Sequence, residues 1–282
     1  STEEVLKQIQ EAIADATLPD LARWRDRGDL QFRVIDGQVR YFPRAVSNLF
    51  RFNADARRRR GPLPAENKFD LTAHVADLVE LAESHGESEV FAVEHTVRHI
   101  LSVEKNHPRV QPGAVVRAWL PYPQEYRQQR DVRLLHSDPP HQSIAENGVP
   151  HRTVYFEFTV ADPVEAPRIE LQYCWTTSAW VPDLAAERVE PYDTASELYR
   201  RYTAERLPHI PLSANVRALA AEIVGDEANP LVRARKIFRW VSAEIPWCAE
   251  MEYGIIDSLA AKALAARRGA CGVPGLVFIT LG

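Results

Sequence analysis

The spacing of apolar residues changes twice along the 282-residue chain. Apolar positions recur at helical intervals through 1–88, at every second residue through much of 89–182, and at helical intervals again through 183–282. Side chains on one helix face recur every 3.6 residues, whereas those on one strand face recur every second residue. The sequence therefore predicts an α+β protein in three parts, with helical regions on either side of a region of strands.

The first region combines helices with one β-hairpin. Its opening helix carries an apolar stripe formed by Val5, Leu6, Ile9 and Ile13. Asp36-Gly37 lies between two β-forming segments, which is a strong hairpin signal because both residues of such a turn take positive φ. A later helix, ended by Gly86, has apolar positions at Leu71, Val75, Leu78, Val79 and Ala82.

The second region, 89–182, predicts an antiparallel β-sandwich. Four segments with alternating apolar and polar residues begin near Val90, Val115, Val154 and Ile169. Short strands joined by turns that contain Pro or Gly are typical of a sandwich. His95 and His99 share the apolar parity of the first strand, so we expect them on one sheet face with hydrogen-bond partners there rather than as joint metal ligands.

Two helices with clear start signals open the third region. Ser213 is a suitable N-cap for a helix that Gly225 ends. Asn229-Pro230 places a capping side chain before a proline, which the first turn of a helix tolerates. This second helix ends at Pro246, and its predicted buried stripe comprises Leu231, Ala234, Ile237, Phe238, Val241 and Ile245.

Composition argues against several classes of protein. A net charge of −5 provides no general attraction to nucleic acid, and no run approaches the roughly 18 apolar residues of a membrane span. Three cysteines without paired ligand spacing argue against a disulfide framework or a zinc site, and we expect neither a metal nor a cofactor. The N-terminus lacks a signal-peptide pattern. The compartment, cytoplasmic or exported, and the oligomeric state stay open.

A short Ala-rich helix precedes the segment with the most informative chemistry. Asp257 or Ser258 is placed to cap its start. Arg267 and Arg268 fall in its last turn, where cations suit the negative end of the helix dipole. Gly269 is placed to end the helix.

Cys271 is predicted to lie at the N-terminus of the following helix. Pro274 lacks an N–H and is tolerated only in a first turn, so that helix begins close to Cys271. A helix N-terminus and nearby cations favour the thiolate, which is the nucleophilic form, and first-turn N–H groups can serve an oxyanion. Gly272 leaves the approach to that backbone open. The alternative is a buried structural cysteine, since free cysteines are among the most buried residues.

The sequence around Cys271 resembles the nucleophile segment of the transglutaminase-like superfamily. The resemblance is carried by Arg268-Gly269-Ala270-Cys271-Gly272, which enters an apolar helix after an Ala/Leu-rich one. The helix ending before Pro246-Trp247 is similar to the element that precedes the family's nucleophile. Residues 118–123 resemble part of the β-domain that often precedes bacterial members. The resemblance covers roughly residues 90–282.

The resemblance implies a thiol enzyme that acts on peptide or protein amide bonds, more a peptidase or amidase than a crosslinker. Cys271 is then the nucleophile of a Cys–His–Asp triad that forms an acyl-thioenzyme, which water or an amine resolves. Trp247, or alternatively Tyr253, assists the oxyanion hole. The third region is then the incomplete front part of a papain-like catalytic domain. Its His and Asp are expected beyond Gly282, so the chain is expected to be truncated and inactive alone.

Other candidates and a different class of function stay open. His209, on a loop between prolines, is the upstream histidine placed to approach Cys271, while Cys174 and Cys248 are interpreted as structural. A non-catalytic binding or scaffolding protein that uses the β-sandwich is the main alternative. A cysteine acyltransferase on another fold is a further one.

Overall fold

Helices and antiparallel strands together form the structure, which confirms the α+β prediction. The computed structural model describes residues 1–62, 69–104, 107–161, 166–185 and 189–282. Contacts divide the chain into a first unit, Ser1–Glu66 with Leu184–Gly282, and a second unit, Asn67–Asp183. The division at residues 88 and 182 stays a prediction. No helix in the described ranges is long and apolar enough to cross a membrane.

The N-terminal part of the first unit contains four helices and a hairpin. These are α1 (Thr2–Gln10), α2 (Leu18–Asp26), β1 (Phe32–Ile35), β2 (Gln38–Tyr41), α3 (Ala45–Phe52) and α4 (Ala54–Arg60). Asp36 and Gly37 take φ values of 51° and 73°, as the hairpin signal predicts. Val5 and Ile9 of the predicted α1 stripe are buried in one core cluster with Trp24 of α2.

The Asp20 carboxylate anchors this cluster at the start of α2. Asp20 Oδ2 accepts a hydrogen bond from Thr17 N at 3.0 Å, and Arg59 Nη1 of α4 lies 3.0 Å from the same oxygen. Burial raises the pKa of Asp20, but the hydrogen bonds from Thr17 and Arg59 outweigh burial and lower the pKa to about 2. The carboxylate therefore stays charged to low pH and holds α4 against α2.

We expect Asp20→Asn to lower the free energy of unfolding by about 2 kcal/mol at neutral pH. The native pKa lies below the unfolded value of about 3.9, so this stabilisation is complete above that value and is lost as the pH falls toward 2. Urea unfolding at several pH values should show the gap between wild type and variant closing below pH 4. Asp15→Asn is the control, because Asp15 pairs with Arg59 too but its side chain is 84% exposed. A gap independent of pH would contradict the assignment.

The second unit consists of α5 (Leu71–His85) and two three-stranded antiparallel sheets. Its strands are β3 (Glu89–Ser102), β4 (Val115–Pro121), β5 (Gln129–Asp138), β6 (Ser143–Ile144), β7 (Thr153–Thr159) and β8 (Arg168–Trp180). The sheet orders are β3-β8-β5 and β4-β7-β6. Buried residues of both sheets, including Phe156 and Leu171, belong to one hydrophobic cluster. The finer sandwich assignment stays a prediction.

Two features of the second unit differ from the sequence expectations. The apolar pattern does not predict β5, whose register against β8 shifts twice and whose Asp131 takes a φ of 56°. The expected apolar stripe of α5 is largely exposed, at 64% for Leu71 and 49% for Val75, and Ala82 is its buried member. Periodicity locates an apolar face, but it does not say whether another element covers that face.

The C-terminal part of the first unit is helical. Its helices are α6 (Glu197–Thr203), α7 (Ala214–Val224), α8 (Pro230–Glu244), α9 (Leu259–Ala266) and α10 (Gly272–Leu281). Ser213 and Asn229 cap α7 and α8, as predicted. Ile237 and Val241 of α8 are buried in a cluster that extends to α10. Phe238, expected in the same buried stripe, is instead 64% exposed.

Candidate functional site

The chain leaves α9 through a left-handed residue. α9 ends at Ala266, and its C-cap, Arg267, takes a φ of 50°. The expectation that Gly269 ends this helix is therefore wrong. The Arg267 guanidinium lies 4.8 Å from the Trp240 ring centroid and 3.3 Å from Glu244 Oε2.

Gly269 pairs instead with the segment that follows α8. Its N–H donates to Pro246 O at 3.2 Å, and its carbonyl oxygen accepts from Cys248 N at 3.0 Å. These bonds form a parallel bridge opposite Trp247. A Cβ added at Gly269 would lie 2.5 Å from Val273 Cγ1, so the approach of α10 requires glycine here. The backbone thereby fixes Trp247 beside the turn that leads into α10.

Cys271 and Trp247 are in hydrogen-bonding contact. Cys271 is the N-cap residue of α10, and its side chain is exposed. The indole Nε1–H of Trp247 donates to Cys271 Sγ over 3.3 Å, and the Trp247 residue is 36% exposed. The contact places a fixed N–H donor against the sulfur at the start of α10. The structure brings the two predicted residues together, and their catalytic roles stay predictions.

Tyr253, the alternative to Trp247, also lies near the start of α10. It begins a single 3₁₀ turn, Tyr253–Ile255. A Cβ added at Gly272 would lie 3.8 Å from the Tyr253 hydroxyl oxygen. Gly272 therefore leaves open a space that the tyrosine hydroxyl borders. Of the first-turn residues of α10, Val273 N donates to Ala270 O at 2.8 Å and Pro274 has no N–H, which leaves the Gly272 N–H as a donor beside this space.

The other two cysteines differ sharply from Cys271 in exposure. Cys174 and Cys248 are both buried. Burial raises the pKa of the Cys248 thiol, and the nearby Glu250 carboxylate raises it further. A buried thiol that resists ionisation is a poor nucleophile, which agrees with a structural role for Cys248.

The histidines singled out in the sequence contact other groups. His209 Nδ1 accepts from Leu259 N at 3.4 Å, at the start of α9. Among the described residues, no histidine nitrogen forms a hydrogen bond with Cys271 Sγ. The expectation for His95 and His99 is confirmed, since both are half-buried on one face of β3. Their partners are Thr177 Oγ1 at 2.8 Å and Tyr173 Oη at 3.0 Å. Within the described ranges, no group of three His, Cys, Asp or Glu side chains is placed to hold a metal.

Residues of α3 reach this site, and sequence reasoning does not identify them. Asn48 exchanges two hydrogen bonds with the backbone of Ala249. The Arg51 guanidinium lies 4.7 Å from the Trp247 ring centroid. About 200 residues separate these partners, and a single sequence carries no local signal for such a pairing.

The likeness of this chain to known proteins concerns overall structure. No protein-family model matches the sequence, and no curated protein matches it. Among solved structures, the chain is similar to a "putative cysteine protease" from Cytophaga hutchinsonii, with 14% sequence identity and a TM-score of 0.47. The match covers 68% of this chain. It covers 64% of the other chain, so this chain spans less than two thirds of the length of that protein. A likeness at this level assigns no activity.

We expect Gly269→Ala to destabilise the protein by about 1–3 kcal/mol, because the new methyl group overlaps Val273. The matched control is Gly275→Ala in α10, where a Cβ meets no atom within 4 Å. In a helix interior this control should stabilise the protein by up to about 1 kcal/mol. Urea unfolding of both variants measures the difference, and equal effects would show that Gly269 is not under steric constraint.

Proposed function

We propose that this protein is a transglutaminase-like thiol enzyme that acts on amide bonds of peptides or proteins, with Cys271 as the nucleophile. The observation that carries this assignment is the 3.3 Å contact from Trp247 Nε1–H to the exposed Sγ of Cys271. A thiolate at a helix N-terminus with a fixed N–H donor is the local environment that nucleophilic cysteines use.

The proposed reaction proceeds in two displacement steps. The Cys271 thiolate attacks the carbonyl carbon, the C–N bond breaks, and the amine leaves with a proton, which gives an acyl-thioenzyme. Water then attacks the thioester, releases the acid and regenerates the thiol; an amine in place of water gives acyl transfer. The indole N–H of Trp247 and the N–H of Gly272 at the start of α10 are the donors proposed for the oxyanion of each tetrahedral intermediate.

The proton transfers of this reaction need a base. In the transglutaminase-like superfamily, a His and an Asp on strands after the nucleophile helix provide this base. Among the described residues, no imidazole forms a hydrogen bond with Cys271 Sγ. The thiol and the base are therefore tested separately below, and added imidazole stands in for the histidine.

Cys271 should react with iodoacetamide at pH 6–7 at least about tenfold faster than Cys174 or Cys248. Exposure alone also favours Cys271, so the decisive comparison is with the chain unfolded in urea. An activated thiol reacts faster in the folded protein than in the unfolded chain, whereas a merely exposed thiol does not. Peptide mass spectrometry gives the rate at each cysteine. A folded-state rate at or below the unfolded-state rate would remove the basis for a nucleophile.

Incubation with p-nitrophenyl acetate should place an acetyl group on Cys271 and release p-nitrophenolate. Imidazole should raise the rate, since it supplies the base, and Cys271→Ala should abolish the labelling. Trp247→Phe keeps an aromatic ring but removes the N–H donor, and we expect an acylation rate about 100-fold lower. Absence of acylation at a thiol that alkylates normally would instead favour the non-catalytic binding protein.

A further inference from the structure

The backbone beside Trp247 is held by a side chain from α3. Asn48 is 2% exposed. Its Nδ2 donates to Ala249 O at 2.8 Å, and its Oδ1 accepts from Ala249 N at 3.0 Å. The second Nδ2 proton goes to Gln31 Oε1 at 2.9 Å. The Asn48 amide thus offers one donor and one acceptor to a single residue, as a residue of a neighbouring antiparallel strand does.

Asn48 and Gly269 hold opposite edges of this short segment. Gly269 bonds to Pro246 O and Cys248 N, whereas Asn48 bonds to both backbone groups of Ala249. In extended backbone, successive residues direct their polar groups to opposite edges. The segment that carries Trp247 is therefore fixed from two sides, and one of the two anchors comes from the N-terminal helices.

Arg51 holds the Trp247 ring itself. Three positions after Asn48, it projects from the same face of α3, and its guanidinium carbon lies 4.7 Å from the ring centroid. Arg51 is solvent-exposed. The Trp247 ring under its guanidinium donates through the indole Nε1–H to Cys271 Sγ. A cation over the face of an indole is attracted to the ring, which favours this orientation of the ring.

A second stacking contact joins α3 to the turn before Cys271. The Arg268 guanidinium carbon lies 4.9 Å from the Phe52 ring centroid. Arg268 directly precedes Gly269 in the chain, so α3 contacts both segments that meet at the parallel bridge. The two sides of the candidate site therefore share one supporting helix.

We infer that α3 is a built-in positioning element of the thiol site, in which Asn48 fixes the backbone and Arg51 the ring of Trp247. Together they aim the indole N–H at Cys271 Sγ. This inference rests on the proposed function for its catalytic consequence, whereas its structural part concerns Trp247 and Cys271 alone. Neither Asn48 nor Arg51 touches the sulfur, so both are positioning residues.

The test follows the indole Nε1–H resonance of Trp247 in the ¹⁵N–¹H spectrum of the full chain, assigned through its loss in Trp247→Phe. Replacement of Cys271 by Ala should move this resonance in the wild-type background, because the hydrogen-bond acceptor is removed. The same replacement should move it much less in the Asn48→Ala and Arg51→Gln backgrounds. Arg51→Lys keeps a cation and should restore most of the response.

Two variants outside the site serve as matched controls. Asn53 is a buried amide in the same region, but it donates to Asp29 and caps α4 through Ala56. Arg25 lies over Phe32 at 5.8 Å rather than over Trp247. Asn53→Ala and Arg25→Gln should therefore leave the response of the resonance to Cys271→Ala unchanged. Because Arg51 is exposed, Arg51→Gln tests the inference even where Asn48→Ala fails to fold.

The acylation rate separates this inference from the proposed function. Asn48→Ala and Arg51→Gln should each lower it severalfold, while Asn53→Ala and Arg25→Gln should not. The positioning role would be overturned if all four variants were acylated at the same rate and Cys271→Ala moved the Trp247 resonance equally in each. The proposed thiol enzyme would then still stand. A response that depends on Asn48 and Arg51 in a chain without acylation would uphold the positioning and refute the enzyme.

Discussion

The absence of a side chain at Gly269 is the constraint on which the candidate site depends. Because Gly269 has no Cβ, Val273 packs against its backbone. The N–H and the carbonyl of Gly269 are at the same time bonded to Pro246 and Cys248. Two segments that are more than 20 positions apart in sequence therefore meet at one residue, Gly269. Trp247 lies between Pro246 and Cys248, so this pairing places it beside Cys271, the N-cap residue of α10. A side chain at position 269 would overlap Val273 and oppose this packing.

The first unit consists of the two chain segments that come before and after the second unit in sequence. Its candidate site uses residues of both segments, so the site depends on their packing. Closing so long a loop costs conformational entropy, although this cost grows only slowly with loop length. The helices α1–α4 pack around one cluster, Arg59 of α4 pairs with Asp20 of α2, and α3 in this group carries Asn48 and Arg51. Weakening these helices therefore loosens the support of Trp247 as well as the fold.

Local chemistry accounts for what the sequence predicts correctly. Asp36-Gly37, Ser213 and Pro274 restrict φ or offer a capping oxygen within one turn, so the elements they mark appear where expected. Arg267 takes the left-handed conformation that the sequence led us to expect of Gly269. Asn48 carries no local signal at all. Its role arises from a partner about 200 residues away, and an asparagine on a helix is otherwise unremarkable in a sequence.

The contact between the indole and the sulfur has opposite effects on the two stages of the proposed reaction. In the resting protein the N–H of Trp247 donates to Cys271 Sγ, and a hydrogen bond to the attacking sulfur moderates its attack. Once Sγ bonds to carbon, its negative charge moves to the substrate oxygen, which is a smaller and stronger acceptor than sulfur. The same donor then binds the oxyanion more tightly than it bound the thiolate. Only this difference between the two states lowers the barrier, so the rate depends on an indole held firmly enough to serve both acceptors from one position.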